Sequence, residues 1–168
     1  VNLVNDESLL IPVDKQVFEK IAYRESTGGV VAVAKQKQHT LQNIKLSSNP
    51  LVLVLEGVEK PGNLGAMLRT ADAAGIDALI ICDPLTDFYN PNVIRSSVGC
   101  VFTKQVASAT SADTITWLQQ NHINIYCTYL GASRVYHAID FAKPSAIIMG
   151  TESTGVSDVW IKNSVNNI

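Results

Sequence analysis

The apolar run Leu51 to Val58, broken at once by Pro61-Gly62, constrains this chain more than any other stretch. A valine- and leucine-rich run of that length reads as a buried strand. Past the break, Leu64, Met67, Leu68, Ala71 and Ala74 share one face of a helix wound at about 100° per residue, the face a sheet would cover. Asn63 stands where an N-cap accepts a bond from a free first-turn N–H, and Gly75 where a left-handed closing residue is needed. Strand, tight turn and helix therefore follow in order.

The same alternation continues to the end of the chain. Strands are predicted over 51–57, 78–82, 101–106, 123–128 and 145–149, and helices over 64–74, 91–98, 112–121 and 156–163. Such a pattern means an α/β fold with a mostly parallel sheet and helices on both faces. Ligands of these sheets sit outside the carboxyl ends of the strands. The turns at 59–63, 128–133 and 150–155 all lie at those ends and should converge on one crevice. Upstream, a helix is expected over 14–25, with Val13, Val17, Phe18 and Ile21 on one side and Ser26-Thr27-Gly28-Gly29 stopping it. A short strand, Val30 to Ala34, and a polar linker, Lys35 to Asn49, come next.

With 168 residues, 46% of them hydrophobic, the chain can bury one substantial core, either one domain or one domain with part of another. No apolar run approaches the roughly 20 residues of a membrane span, and Val1-Asn2-Leu3 is no cationic leader, so a cytoplasmic location is expected. A first residue other than methionine reads as a piece of a longer product. Cys82, Cys100 and Cys127 are far apart in apolar surroundings, as reduced buried thiols are, and His39, His122 and His137 lack ligand spacing, so no metal is expected. A net charge of −2 argues against nucleic-acid binding by bulk electrostatics. Positive charge is nonetheless uneven, with Lys60, Arg69, Arg95 and Lys104 gathered around the turns and helices just described.

Arg69 points away from the apolar face of its helix, among Gly65, Ala66 and Ala73, whose small side chains let another surface come close. An ordinary surface pair with Asp72 at i, i+3 is the simpler alternative. Glu152, ahead of a helix expected to begin near Gly155, fits a favourable charge at a helix N-terminus equally well. Gly150 admits close backbone approach. Arg95 and Ser97 lie on a helix opened by Asn90-Pro91, a cap followed by proline at the first position. A dinucleotide-binding fold is a weaker reading, because Gly62-Asn63-Leu64-Gly65 lacks G-x-G-x-x-G spacing.

Three ordered segments carry a family resemblance. Asn63, Gly65, Ala66, Arg69-Thr70-Ala71 and Gly75 resemble the first motif of the SpoU (TrmH-like) RNA ribose 2′-O-methyltransferases of the SPOUT superfamily. Tyr89-Asn90-Pro91, Arg95-Ser96-Ser97-Val98-Gly99 and Phe102 are similar to its middle segment, and Ile147 to Glu152 with Gly155-Val156-Ser157 to its second motif. Thr151 stands where asparagine is usual, and Ser153-Thr154 where glycine is common. The third motif, a Ser-Leu-Asn segment, would follow Ile168, so the C-terminal part of the domain reads as truncated.

The resemblance implies a SPOUT-type trefoil-knot methyltransferase domain over 46–168, preceded over 1–45 by the remnant of an RNA substrate-binding domain and a linker. It implies methyl transfer from S-adenosylmethionine to a ribose 2′-hydroxyl of rRNA or tRNA, by a homodimer. Arg69, Asn63 and Glu152 are the implied catalytic residues, Thr128, Leu130 and Gly150 the cofactor-binding ones, and Arg95 and Ser97 the substrate-binding ones. A guanidinium with a pKa above about 12 is a poor proton acceptor, so Arg69 is expected to stabilise oxyanion charge, with Asn63 and Glu152 orienting it. A non-catalytic RNA-binding or assembly module on the same fold is the alternative.

Overall fold

β1 (Leu51–Glu56) is the strand on which the rest is assembled. In the computed structural model, which describes residues 6–23, 28–132 and 134–168, it pairs in parallel with β2 (Ala78–Cys82) on one side and β5 (Ser145–Met149) on the other. β3 (Val106–Ala109) continues the sheet beyond β2, while β4 (Asn124–Cys127) and the two-residue β6 (Asn166–Asn167) continue it beyond β5. The spatial order is β3-β2-β1-β5-β4-β6, and every pairing is parallel.

Alternation along β1 sends side chains into two separate cores. Leu53 and Leu55 pack with Leu64, Leu68 and Ala71 of α2 (Pro61–Ala73), Val93 of α3 (Pro91–Ser96) and Val101 of α4 (Cys100–Thr103). Val52 and Val54 pack on the other face with Ile115 and Leu118 of α5 (Ser111–Gln120) and Trp160 of α6 (Asp158–Asn163). Trp160 is fully buried, and its indole N–H donates to Ser111 Oγ over 3.2 Å. The expected α/β sheet covered on both faces is thus the observed one.

Local expectations fail where a short apolar run has two uses. The strand expected over 101–106 is divided: Cys100–Thr103 forms α4, and β3 begins only at Val106. Gly99, at φ +89°, turns the chain into that extra helical turn and buries Val101 beneath α2. The first-motif helix begins at Pro61 instead of 64, so Asn63 is its third residue and not its N-cap. Proline suits that first position because its missing N–H would have had no partner there. Gly75 does close the helix, at φ +67°.

The segment read as a linker is partly built into the sheet unit. Leu41 of a 3₁₀ turn (Leu41–Asn43) is buried, and His39 O accepts from Ser108 N–H over 2.9 Å. Asp77 ties the approach to β1 by accepting from Ser47 and Leu51 N–H at 3.0 and 2.9 Å. Burial pushes the Asp77 carboxyl up, and these bonds outweigh it, leaving the group below the ordinary carboxylate range.

The chain divides into two units, Val1–Lys37 and Gln38–Ile168. In the first, α1 (Lys15–Ile21) is capped by Asp14 Oδ1, which accepts from Val17 N–H over 2.8 Å. It is shorter than the expected 14–25, whose last residues, with Ser26 and Thr27, lie outside the described residues. No strand forms over Val30–Ala34, because β-branched residues hold an extended ladder only where a partner strand exists.

Candidate functional site

The order of strands reverses between β1 and β5, since β2 and β3 extend to one side of that junction and β4 and β6 to the other. Loops leaving the carboxyl ends of two such strands diverge and leave a crevice. A cavity of about 170 Å³ lies there, between Gly57–Lys60, Asn63 and Met67 from the β1–α2 side and Gly150–Ser153 from the β5–α6 side.

The β5–α6 side is a closed hairpin. Thr151 and Gly155 exchange backbone bonds at 3.0 and 3.1 Å, and Thr151 Oγ1 accepts from Thr154 N–H over 2.9 Å. A Cβ on Gly150 would lie 2.0 Å from the carbonyl carbon of Gly155. Glycine at 150 is therefore required by the hairpin's own closure, and not, as expected from the sequence, only by an approaching ligand. Glu56, at the end of β1, accepts from Ser157 N–H over 2.7 Å and from Ser157 Oγ over 2.6 Å. This bond delays α6 to Asp158, two residues later than predicted.

Glu152, near the hairpin tip, is held from the opposite side of the crevice. Lys60 Nζ donates to its Oε2 over 2.8 Å, and Asn63 Nδ2 donates to its Oε1 over 2.7 Å. The hydrogen bond from Lys60, followed by that from Asn63, holds the Glu152 carboxyl below the ordinary carboxylate range. The same bond raises the Lys60 ammonium above its usual value. Starting the helix at Pro61 has freed the Asn63 amide for this contact. Lys60 is the partner that motif reading missed; its place immediately before Pro61 in the turn was the available signal.

Arg69 is not brought to Glu152 within one chain. Its Nη1 donates to the backbone carbonyl of Ser96, and Asp72 pairs with Lys104 at 3.4 Å, which replaces the simple Arg69–Asp72 pair. Within one chain Asn63 and Glu152 bind one another and not Arg69. Of the three cofactor candidates, Gly150 lines the crevice, while Thr128 and Leu130 are not among its walls. Thr128 Oγ1 donates to Ile148 O over 2.9 Å, and Leu130 is fully exposed. Arg95 is exposed, with no side-chain partner among the described residues. Ser97 is fully buried and donates to Ile94 O over 2.9 Å, so its hydroxyl serves the helix end and is not offered to a substrate.

An all-parallel α/β domain with a crevice at its reversal point defines the class as a small-molecule or cofactor-binding one. The chain belongs to the SpoU rRNA Methylase family, whose model matches residues 50–168. It is 29% identical over 154 residues to a 23S rRNA (guanosine(2553)-2′-O)-methyltransferase of Bacillus subtilis, covering 92% of this chain and 60% of the relative. It is 35% identical over 152 residues to a 23S rRNA (guanosine-2′-O-)-methyltransferase of Ralstonia nicotianae, covering 88% and 61%. The fold superposes with TM-score 0.84 on an AdoMet-bound rRNA methyltransferase from Sinorhizobium meliloti, at 29% identity and covering 92% of this chain and 59% of that one. The chain thus spans about 60% of the length of these relatives. Among the described residues no helix is long and apolar enough to cross a membrane.

Proposed function

We propose that this chain carries the catalytic domain of an S-adenosylmethionine-dependent RNA methyltransferase acting on a ribose 2′-hydroxyl of rRNA or tRNA. The observation that carries the reading is the crevice between β1 and β5, closed by the Lys60–Glu152–Asn63 contact within a family whose relatives are named for this reaction. The walls suit the cofactor. Met67 and Val58 offer apolar contact, and with Lys60 neutralising Glu152 the Glu59 carboxylate leaves the walls one negative charge that favours a cation. When bound, S-adenosylmethionine supplies a methyl group on a sulfonium that leaves readily.

The protein's task is then to align the hydroxyl and to stabilise charge on its oxygen as the proton departs. Arg69 is suited to the second role, because a guanidinium stays charged and offers five donors. Asn63 and Glu152 fix the crevice wall. Arg95, exposed and unpaired among the described residues, is suited to an RNA phosphate. Because Arg69 lies outside its own chain's crevice, the reading favours a homodimer in which the arginine of one copy serves the crevice of the other. The stretch 1–45 is read as the end of an RNA-binding domain with its linker.

Calorimetric titration of the full-length protein with S-adenosylmethionine, followed by radiolabelled methyl transfer to rRNA and tRNA, tests the proposal. Binding and transfer to ribose, with R69K binding cofactor but transferring at least a hundredfold more slowly, is the expected result. A folded protein that binds RNA but neither binds the cofactor nor transfers would identify a non-catalytic module and overturn the proposal.

A further inference from the structure

Arg69 is held by the end of another helix, and that end is built in an unusual way. At the close of α3, Ser97 N–H donates to Val93 O at 2.9 Å, Val98 N–H to Arg95 O at 3.1 Å and Cys100 N–H to Ser97 O at 3.0 Å. The Ser96 carbonyl is passed over in this series, and its partner among the described residues is Arg69 Nη1. The cause lies two and three residues on, in Val98 at φ +52° and Gly99 at φ +89°. Both are left-handed, and they turn the chain aside before a further amide reaches Ser96. A β-branched residue rarely adopts that conformation, and Val98, 77% exposed, gains little burial in return. Strain of this kind persists where the surroundings impose it and gathers at functional sites.

A second feature places the same carbonyl. Gly65 lies one turn before Arg69 on α2, and a Cβ there would stand 1.9 Å from Ser96 Oγ and 2.7 Å from the Ser96 carbonyl carbon. Only glycine lets the end of α3 come this near to α2. Ser96 Oγ is occupied within its own helix, donating to Asn92 O over 2.6 Å, so the carbonyl is the group left to meet Arg69. An unpaired carbonyl at a helix end carries partial negative charge, which a guanidinium complements. One of five N–H donors is spent on this bond, leaving four for a substrate oxygen.

We infer that Gly65, Ser96 and Val98 are positioning residues that mount Arg69, so that the Arg95–Gly99 segment acts in the reaction through that arginine. The functional half of this inference rests on the methyltransferase reading; the geometric half does not.

The test combines side-chain NMR of the ¹⁵N-labelled, full-length protein, without cofactor or RNA, with transfer kinetics. Arg69 signals are assigned by their loss in R69K. Wild-type protein should show separate, slowly exchanging Nη resonances for Arg69, and G65A a single averaged one. G65A should lower kcat at least tenfold while the Kd for S-adenosylmethionine stays within twofold. G65A/S96G, which removes the Ser96 side-chain atoms that a residue-65 methyl would strike, should recover part of both the splitting and kcat. A merely structural role would move melting temperature and cofactor affinity together and give no such split. Averaged Arg69 resonances in the wild type overturn the inference, whether or not G65A folds, and so does a folded G65A with wild-type kcat. Restrained Arg69 resonances in a protein that transfers no methyl group would overturn the methyltransferase reading and leave the mount in place.

Discussion

Asn63 Nδ2 donates to Glu152 Oε1 over 2.7 Å, joining the first turn of α2 to the hairpin that follows β5. With Lys60 on the other carboxylate oxygen, this contact sets the spacing of the crevice walls. The groups are exposed, and exposed pairs add little to stability. N63A and E152A are therefore expected to shift the melting temperature by no more than about 2 °C while lowering methyl transfer at least tenfold. Equal transfer by both variants would show that the bridge has no part in the reaction.

The bridge should stand between two pH limits. Glu152 has a folded-state pKa below its unfolded one, so its contribution is present above the ordinary carboxylate value and lost as pH falls through the lower folded-state value. Lys60 is raised, so its contribution is fully present below the ordinary ammonium value and lost as pH climbs through the higher folded-state value. Carboxyl-carbon NMR should give Glu152 a midpoint in the folded protein below its own midpoint in the denatured chain, and K60A should move it back up.

Arg95 should act on RNA through charge alone. R95A is expected to weaken binding by a similar factor across RNA sequences and to reduce the slope of log K against log salt by about 0.7 to 1. A filter-binding series across salt concentrations measures this, and an unchanged slope would remove Arg95 from the interface.

The three thiols should divide sharply in reactivity. Burial pushes the Cys82 and Cys127 thiols up to about 12, while Cys100 is half-buried. Iodoacetamide at pH 8 should label Cys100 in the native protein and all three cysteines after denaturation, as mass spectrometry would report. The sequence reading of three buried thiols holds for two of them.

Trp160 fixes α6 over β1 and β5 from inside the core. W160A should cost about 3–5 kcal/mol in denaturant unfolding, from lost apolar burial and an unfilled cavity. W160F keeps much of that area but leaves Ser111 without its indole donor, and should cost less.

Much of this was legible in the residues. The β1–α2 unit, β2 and β5 follow from hydrophobic period and turn chemistry, and the Asn90-Pro91 start of α3 is observed, with Asn90 Oδ1 accepting from Asn92 N–H at 2.9 Å. What escaped was anything decided by a distant neighbour. Cys100–Phe102 has strand composition but forms a helical turn whose Val101 lies under α2, and His39 sits in a polar run yet bonds Tyr89 Oη at 2.7 Å. At the site, the pairing of Asn63 with Glu152 across 89 positions depends on which strands are adjacent, and periodicity carries no record of that. The Ser96 carbonyl is backbone, and no side-chain motif could announce it.

The place of β1 at the centre of the sheet also shapes how the chain can fold. One edge of β1 is covered by β2 shortly after synthesis, but the other waits for β5, since Leu51 pairs with Ser145. Until β5 arrives, a fully apolar edge from Val52 to Leu55 stays open to pairing with other chains. Long-range parallel pairing of this kind is intrinsically slow. The crevice, whose two walls hang from β1 and β5, can therefore be assembled only in the last stage of folding, and a nascent or half-folded copy is a hazard for aggregation before it has any site at all.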